Sequence, residues 1–282
     1  MAETAIIDRK TGDRNKHGIT IEPFEINYEK LYGRGGAFLI TPIGNGKVFS
    51  REQFSEEHRM FEKTAREFGE NRILPVREEL NVLNKDLSLE IFKEMGELGF
   101  LGVDVEEEYG GLALDKTTAC IIVDALSTGR NASILVTMSA HTGISMLPIA
   151  WYGNDEQKNK YLSKLASGEW VGSYALTESG AGSDALSGEA TAVLNDEGTH
   201  YILNGQKIYV TNGAWCKVAV TFANVNGKYT AFILDKECEG WQIGEEEKKL
   251  GIKGSSTVTF FYEDCQVPVE NVLGKVGEGG PI

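Results

Sequence analysis

The chain has 282 residues, 41% hydrophobic and 25% charged, a balance typical of a soluble globular protein with one large or two ordinary domains. Its net charge of −14 provides no basic footprint, so we expect no nucleic-acid partner. No apolar run approaches the roughly 20 residues that cross a bilayer. The four cysteines lie far apart, which argues against a zinc site or a disulfide framework and predicts free thiols in a cytoplasmic protein without a bound metal.

Glycine and proline recur at short intervals through residues 1–49. Because both residue types interrupt periodic structure, we predict that this stretch is an extension that lies outside the main core.

Residues 50–170 have the pattern of a helical domain. Ser50 and Gln53 form a potential capping box, in which each side chain can satisfy a free main-chain N–H group. Apolar and aromatic residues then recur at helical spacing, and Pro75 is expected to end or kink the first helix. Later helices are expected to close at Gly99 and near Gly168, and to begin at the capping residues Asp115, Asn131 and Asn154. We expect His141, inside an apolar helix, to be a hydrogen-bonded core residue.

The residue pattern changes at Val171. After this point, short runs of β-branched and aromatic residues alternate with turn-forming residues. Asn204-Gly205 between two alternating runs predicts a type I′ hairpin. Residues 229–234 and 257–262 are predicted as further strands. We therefore expect a mainly antiparallel barrel or sandwich over residues 171–276, and we interpret residues 277–282 as a truncated end.

Several nucleotide and metal motifs are missing from the sequence. Gly44-Asn45-Gly46-Lys47 lacks the spacing of a Walker A loop, and Ala185 stands where a GxGxxG motif needs its last glycine. The sequence has no HExxH motif. The hypothesis of a Rossmann-type nucleotide enzyme therefore lacks the motif that would be its main evidence.

Residues 174–184 join an apolar strand to a loop of small residues with several N–H groups and hydroxyls. Glycine lets a main chain approach a phosphate or a flat ring closely. By itself, however, such a loop is more often only a loop.

The order of several sequence blocks is more specific. Residues 175–184 and 203–213 resemble the two signature blocks of the acyl-CoA dehydrogenase family, and residues 249–257 and 267–274 resemble the end of its β domain. The resemblance covers about residues 50–280 and is nearest to the very-long-chain branch. It implies an α+β fold in which an all-α N-terminal domain precedes a mainly antiparallel β-barrel domain.

The family oxidises acyl-CoA thioesters to trans-2-enoyl-CoA with FAD, in fatty-acid β-oxidation. The resemblance implies acyl-CoA as the substrate, an electron-transferring flavoprotein as the electron acceptor, and a homo-oligomer, either a dimer or a tetramer. In the family, the catalytic glutamate lies in a C-terminal helical bundle, and we expect this chain to stop before it. We therefore assign no catalytic residue and expect the chain to be inactive alone.

The resemblance also assigns positions to the flavin site. Reduction of a flavin places negative charge near N1 and O2, so hydrogen-bond donors there are stabilising. Leu176 and Thr177 match the positions that supply these donors, and Thr211 matches the one whose hydroxyl faces N5. The full set assigned to the cofactor is Tyr174, Leu176, Thr177, Gly182, Ser183, Tyr209, Val210 and Thr211.

The remaining assignments concern the ring face and the substrate. Tyr209 and Val210 are expected to pack along the ring, and Ser183 to lie between FAD and the substrate. Two positions depart from the family pattern: Ser179 replaces a proline, and Tyr209 replaces a tryptophan. Glu178 belongs to the loop, and we do not assign it as the base.

Two other functions are compatible with the sequence. An acyl-CoA oxidase or related flavin oxygenase would share the fold and use oxygen as the acceptor. A degenerate homologue would bind without catalysis.

Overall fold

The computed structural model describes residues 50–235 and 238–282, together with Asn27, Gly36 and Leu39. The predicted extension over residues 1–49 therefore lies outside the described residues, apart from those three positions. The chain divides into two compact units, Met1–Glu56 and Glu57–Ile282. In the first, the Ser50 N–H donates to Gln53 Oε1 over 3.2 Å, as the predicted capping box requires, and the Ser50 hydroxyl donates to Glu52.

Residues 56–166 are mainly helical. The α-helices are α1 (Glu56–Phe68), α2 (Arg77–Leu80), α3 (Lys85–Glu97), α4 (Lys116–Leu126), α5 (Ala132–Ser139), α6 (Leu147–Tyr152) and α7 (Asp155–Ala166). Three predicted N-caps are confirmed, because the side chains of Asp115, Asn131 and Asn154 accept the N–H groups of Thr118, Ile134 and Gln157. Gly99 and Gly168 have φ angles of +75° and +73° and follow the ends of α3 and α7, as predicted.

The first helix is interrupted where proline predicts it. A π-helical turn over Gly69–Ile73 and a 3₁₀ turn over Leu74–Val76 separate α1 from α2. Because Pro75 has no N–H to donate, the α-helical hydrogen-bond pattern cannot continue through it.

A second π-helical segment, Ala140–Met146, joins α5 to α6 and makes Ala132–Tyr152 one helical stretch. These 21 residues have the length and apolar composition of a membrane span. The prediction that no apolar run approaches that length is wrong for this segment. Its most apolar window is 61% buried within the protein, and packing in a core selects the same residue types as a bilayer does.

His141 lies in this segment and is fully buried. Its Nδ1 accepts the Gly172 N–H over 2.9 Å, and its Nε2 lies 3.0 Å from the Leu165 carbonyl oxygen. A carbonyl only accepts, so Nε2 carries the proton of a neutral imidazole. Burial lowers the pKa of His141 from 6.5 to about 4. The predicted role as a core residue is confirmed.

This histidine should make folding sensitive to acid. Its folded-state pKa lies below the unfolded value, so only the unfolded chain takes up a proton as the pH falls from 6.5 towards 4. Between pH 7 and pH 5, we expect the wild type to lose about 2 kcal/mol more unfolding free energy than His141→Gln. Urea unfolding of both proteins at the two pH values measures this difference. Equal losses would contradict the buried neutral state.

The C-terminal part forms one eight-stranded sheet. Its strands are β1 (Gly172–Ala175), β2 (Thr191–Leu194), β3 (His200–Thr211), β4 (Val218–Val225), β5 (Lys228–Asp235), β6 (Trp241–Ile243), β7 (Thr257–Pro268) and β8 (Val272–Leu273). They follow the order β6-β7-β3-β2-β4-β5-β8, and β1 pairs with β4 off this path. All pairs are antiparallel except β1–β4 and a single parallel contact between β2 and β4.

The predicted hairpin at Asn204-Gly205 is wrong. These residues lie inside β3, and the pairing of β3 with β7 shifts register between Leu203 and Gly205. Gly205 has a φ angle of +140° and faces Ala190 so closely that a side chain would collide. The glycine therefore serves a β-bulge and a close approach.

A second Asn-Gly pair, between β4 and β5, forms the hairpin turn instead. Asn226 and Gly227, with φ angles of +51° and +76°, connect β4 to β5, and Val225 pairs with Lys228. Positive φ at both central residues is the requirement of a type I′ turn.

Specific contacts join the helices to the sheet. Asn212 Nδ2 donates to the carbonyls of Thr137, over 2.9 Å, and Gly172, over 3.2 Å. The Gly254 N–H donates to Ser133 Oγ over 3.2 Å. The end of β3 and the loop before β7 are therefore held against α5.

Candidate functional site

The two signature blocks, distant in sequence, lie side by side. Ser173 Oγ donates to the Thr211 carbonyl over 2.6 Å, and the Ile208 N–H donates to the Thr177 carbonyl over 2.8 Å. The end of β1 therefore runs along the last residues of β3. This arrangement places the two segments that carry Thr177 and Thr211, both assigned to the flavin, next to each other.

A second bulge shapes β3 at this point. Its register against β7 shifts between Lys207 and Val210, and Tyr209 has a left-handed φ of +58°. Tyr209 is 64% exposed and has room to cover a ligand. Val210 is 1% exposed and packs in the sheet core, so its side chain is not available to a ring at the surface.

Hydrogen-bond donors at this edge lack internal partners. Among the described residues, the hydroxyls of Thr177, Ser183 and Thr211 and the N–H groups of Leu176 and Thr177 make no hydrogen bond. Nearby hydroxyls behave differently: Ser173 donates to a carbonyl, and Thr221 donates to the Ala175 carbonyl over 3.1 Å. Donors left free in a folded protein are available to a ligand.

The loop after β1 is closed by its own main chain. Glu178 and Ala181 exchange two N–H···O hydrogen bonds of 3.1 Å. Gly182 and Ser183 follow this turn and are exposed, and nothing lies within 4 Å of a side chain added at Gly182. Ser179, where the family pattern has proline, accepts a 3.3 Å hydrogen bond from Gln206 Nε2, which links the loop to β3.

The Tyr174 side chain makes its contacts within the protein. Its ring packs against Phe222 with centroids 5.2 Å apart, and its hydroxyl lies 3.4 Å from the Ile282 carbonyl. Burial raises the pKa of Tyr174 to about 12, so the phenol stays protonated at neutral pH.

Glu178 is unsuited to act as a free base. It is 8% exposed, and its Oε1 lies 2.5 Å from Nζ of Lys207, which is completely buried. Burial lowers the pKa of Lys207, and the Glu178 carboxylate opposes this effect by favouring the ammonium. Sequence reasoning missed Lys207. The β-bulge between Leu203 and Gly205 interrupts the inward–outward alternation of β3, so the sequence pattern gave no signal that Lys207 is buried.

A cavity of about 510 Å³ lies between the helices. Its lining is mostly apolar and comes from the loop before α4, from α4 itself, from α5 with the π segment, and from the start of α6: Phe100, Leu101, Val103, Asp104, Lys116, Ala119, Cys120, Val123, Asp124, Met138, Ser139, Thr142, Gly143 and Leu147. Met138 follows Thr137, whose carbonyl binds Asn212, the neighbour of Thr211. The cavity therefore adjoins the helix that holds the end of β3.

Metal ligation is not indicated. Within residues 50–235 and 238–282, no group of three or more His, Cys, Asp or Glu residues could hold a metal ion.

Comparison with known proteins gives consistent matches. The family model "Acyl-CoA dehydrogenase, N-terminal domain" matches residues 55–169, and "Acyl-CoA dehydrogenase, middle domain" matches residues 173–265. A probable acyl-CoA dehydrogenase of Bacillus subtilis is 47% identical over 250 residues, 88% of this chain and 42% of that protein. A short-chain specific acyl-CoA dehydrogenase of Clostridium acetobutylicum is 40% identical over 233 residues, 81% of this chain and 60% of that protein.

A solved structure agrees with these matches. The crystal structure of a Bacillus anthracis acyl-CoA dehydrogenase complexed with FAD superimposes with a TM-score of 0.82 and 49% identity, over 87% of this chain and 42% of that one. The chain thus spans about half the length of the curated relatives it matches.

Proposed function

Because the chain belongs to the acyl-CoA dehydrogenase family through its N-terminal and middle domains, we propose that it binds FAD and an acyl-CoA thioester for α,β-dehydrogenation to the trans-2-enoyl-CoA. FAD, when bound, supplies the two-electron acceptor for this oxidation. The observation that carries the proposal is the set of free donors where β1 meets β3.

These residues fit a flavin. The N–H groups of Leu176 and Thr177 and the Thr177 hydroxyl can donate to acceptors that gain negative charge. The Thr211 hydroxyl can donate from the adjacent strand, and exposed Tyr209 can cover an aromatic face. Ser183, on the exposed loop, is the residue that we assign to the boundary between cofactor and substrate.

The purified protein provides a direct test. We expect saturable FAD binding with one flavin per chain and acyl-CoA-dependent reduction of an artificial electron acceptor from the protein that includes the family's C-terminal helical bundle, and no turnover from residues 1–282 alone. Absence of FAD binding would contradict the proposal. Acyl-CoA-dependent oxygen consumption without acceptor reduction would favour the oxidase alternative instead.

We extend the proposal to the partners of the reaction. An electron-transferring flavoprotein would accept the electrons, in cytoplasmic fatty-acid β-oxidation by a homo-oligomeric enzyme. Reduction of a purified electron-transferring flavoprotein by acyl-CoA and this enzyme would support the assignment, and transfer to oxygen alone would contradict it.

The cavity between the helices is the proposed acyl site. Its apolar lining suits a hydrocarbon chain, and its wall at Met138 continues through Thr137 to the end of β3.

A larger side chain at Ala119 should shorten this cavity. We expect Ala119→Leu to lower kcat/KM for the longest accepted acyl chain by at least about tenfold and to leave the shortest unchanged, since one methylene in an apolar pocket is worth about 1–3 kcal/mol. Steady-state rates across acyl lengths, measured in the protein that includes the C-terminal helical bundle, give the effect. Ala132→Leu makes the same change at an exposed helix position outside the lining and serves as the control. Equal profiles for the two variants would contradict the assignment.

A further inference from the structure

A buried ion pair lies beside the candidate flavin loop. Lys207 is completely buried and Glu178 is 8% exposed, and Nζ and Oε1 are 2.5 Å apart. Removing two charges from water costs about as much as their attraction returns, and apolar residues of similar volume are often at least as stable. Stability alone therefore gives little reason for a charged pair at this position.

The pair has further partners, and all of them belong to the loop or its ends. Lys207 Nζ donates to the Leu176 carbonyl over 3.2 Å. The Glu178 carboxylate accepts the N–H groups of Glu189, over 2.6 Å, and Ala190, over 3.2 Å. One ammonium thus binds the residues on both sides of Thr177, and one carboxylate joins the start of the loop to its end.

These hydrogen bonds orient main-chain groups of the loop, which the packing of apolar side chains cannot do. The Leu176 carbonyl points to Lys207 and the Thr177 carbonyl to the Ile208 N–H, so the conformation around Thr177 is set from two sides. Apolar side chains fill space without orienting carbonyl or N–H groups. The loop between Glu178 and Glu189 carries Gly182 and Ser183, so its position depends on the same two charges.

We propose that Lys207 and Glu178 are positioning residues, which hold the Leu176 and Thr177 donors and the Ser183 loop in the orientation that receives the flavin. The inference rests on the proposed function. Neither side chain touches the ligand in this arrangement, because each is enclosed by the groups that it binds.

Three variants test the proposal in the purified protein: Glu178→Gln, Lys207→Met, and the double variant. The single Lys207→Met change leaves a buried carboxylate without its counter-ion. We therefore expect it to be the least stable of the three variants. The double variant is neutral at both positions. Lys160→Met is the control, because it removes a lysine–carboxylate pair, with Asp235 at 3.0 Å, from a different part of the chain.

We expect the double variant to unfold cooperatively with a urea midpoint close to that of the wild type. Its dissociation constant for FAD should rise by at least about tenfold, which corresponds to 1.4 kcal/mol, and the visible absorption band of the bound flavin should shift. Lys160→Met should change neither quantity. A cooperatively folded double variant with wild-type affinity and spectrum would overturn the proposal, and so would failure of all three variants to fold, because the pair would then serve folding itself.

Amide hydrogen exchange separates this inference from the proposed function. In the double variant without ligand, we expect faster exchange confined to residues 176–190. If the wild type bound no FAD, the proposed function would fail while the exchange result still decided the positioning role. Unchanged exchange in this segment would overturn the positioning role, whatever the protein binds.

Discussion

Gly254→Ala is expected to lower the free energy of unfolding by about 3 kcal/mol. Gly254 lies in the loop before β7, where this loop meets the end of α2 and the start of α5. A methyl group there would overlap the Leu80 carbonyl oxygen and crowd Ser133. Because the obstacle is main chain, the clash can be relieved only by moving the loop away from the helices.

Gly251→Ala is the matched control for this prediction. It lies in the same loop, but nothing lies within 4 Å of a side chain added there. We expect its unfolding free energy to stay within about 0.5 kcal/mol of the wild type. Urea denaturation of both variants gives the comparison, and equal stabilities would show that the loop does not pack on α2 and α5.

Thr211→Val is expected to weaken FAD binding by about 1–3 kcal/mol, equivalent to roughly 5- to 150-fold in the dissociation constant. Valine keeps the shape of threonine and removes only the hydroxyl. That hydroxyl has no partner among the described residues, so the free energy of unfolding should hardly change. Flavin fluorescence titration and the rate of flavin reduction by acyl-CoA, both in the protein that includes the C-terminal helical bundle, measure the effect.

Thr259→Val provides the comparison within the same sheet. Thr259 is also a half-buried threonine, on β7, and its side chain is assigned no ligand. We expect this variant to bind FAD like the wild type. Wild-type affinity and an unchanged reductive half-reaction in Thr211→Val would count against the assignment of Thr211 to the flavin.

Local chemistry explains which features were predictable. Asp115, Asn131 and Asn154 cap helices because their side-chain oxygens reach N–H groups three residues away, an interaction that involves only neighbouring residues. Proline at position 75 interrupts a helix for an equally local reason. The order of the signature blocks likewise pointed to the family without any knowledge of their contacts.

The Asn-Gly pairs show where local reasoning fails. Asn204-Gly205 and Asn226-Gly227 both permit positive φ, yet only the second pair is a hairpin turn. The first lies within a strand because β7 and Ala190 flank Gly205. Which of two identical dipeptides turns depends on partners distant in sequence, and tertiary packing overrides the local preference.

The features of the candidate site also fall into those that local sequence predicts and those that depend on tertiary contacts. By itself, the sequence determined the helical and sheet regions, the caps and the residue types of the flavin blocks, since each depends on neighbours along the chain. Only the tertiary structure decided that the segments carrying Thr177 and Thr211 lie side by side, that Val210 faces the core, and that Lys207 is buried against Glu178. These facts depend on which strands pair and in which register, and a register is set by contacts between residues far apart in the chain.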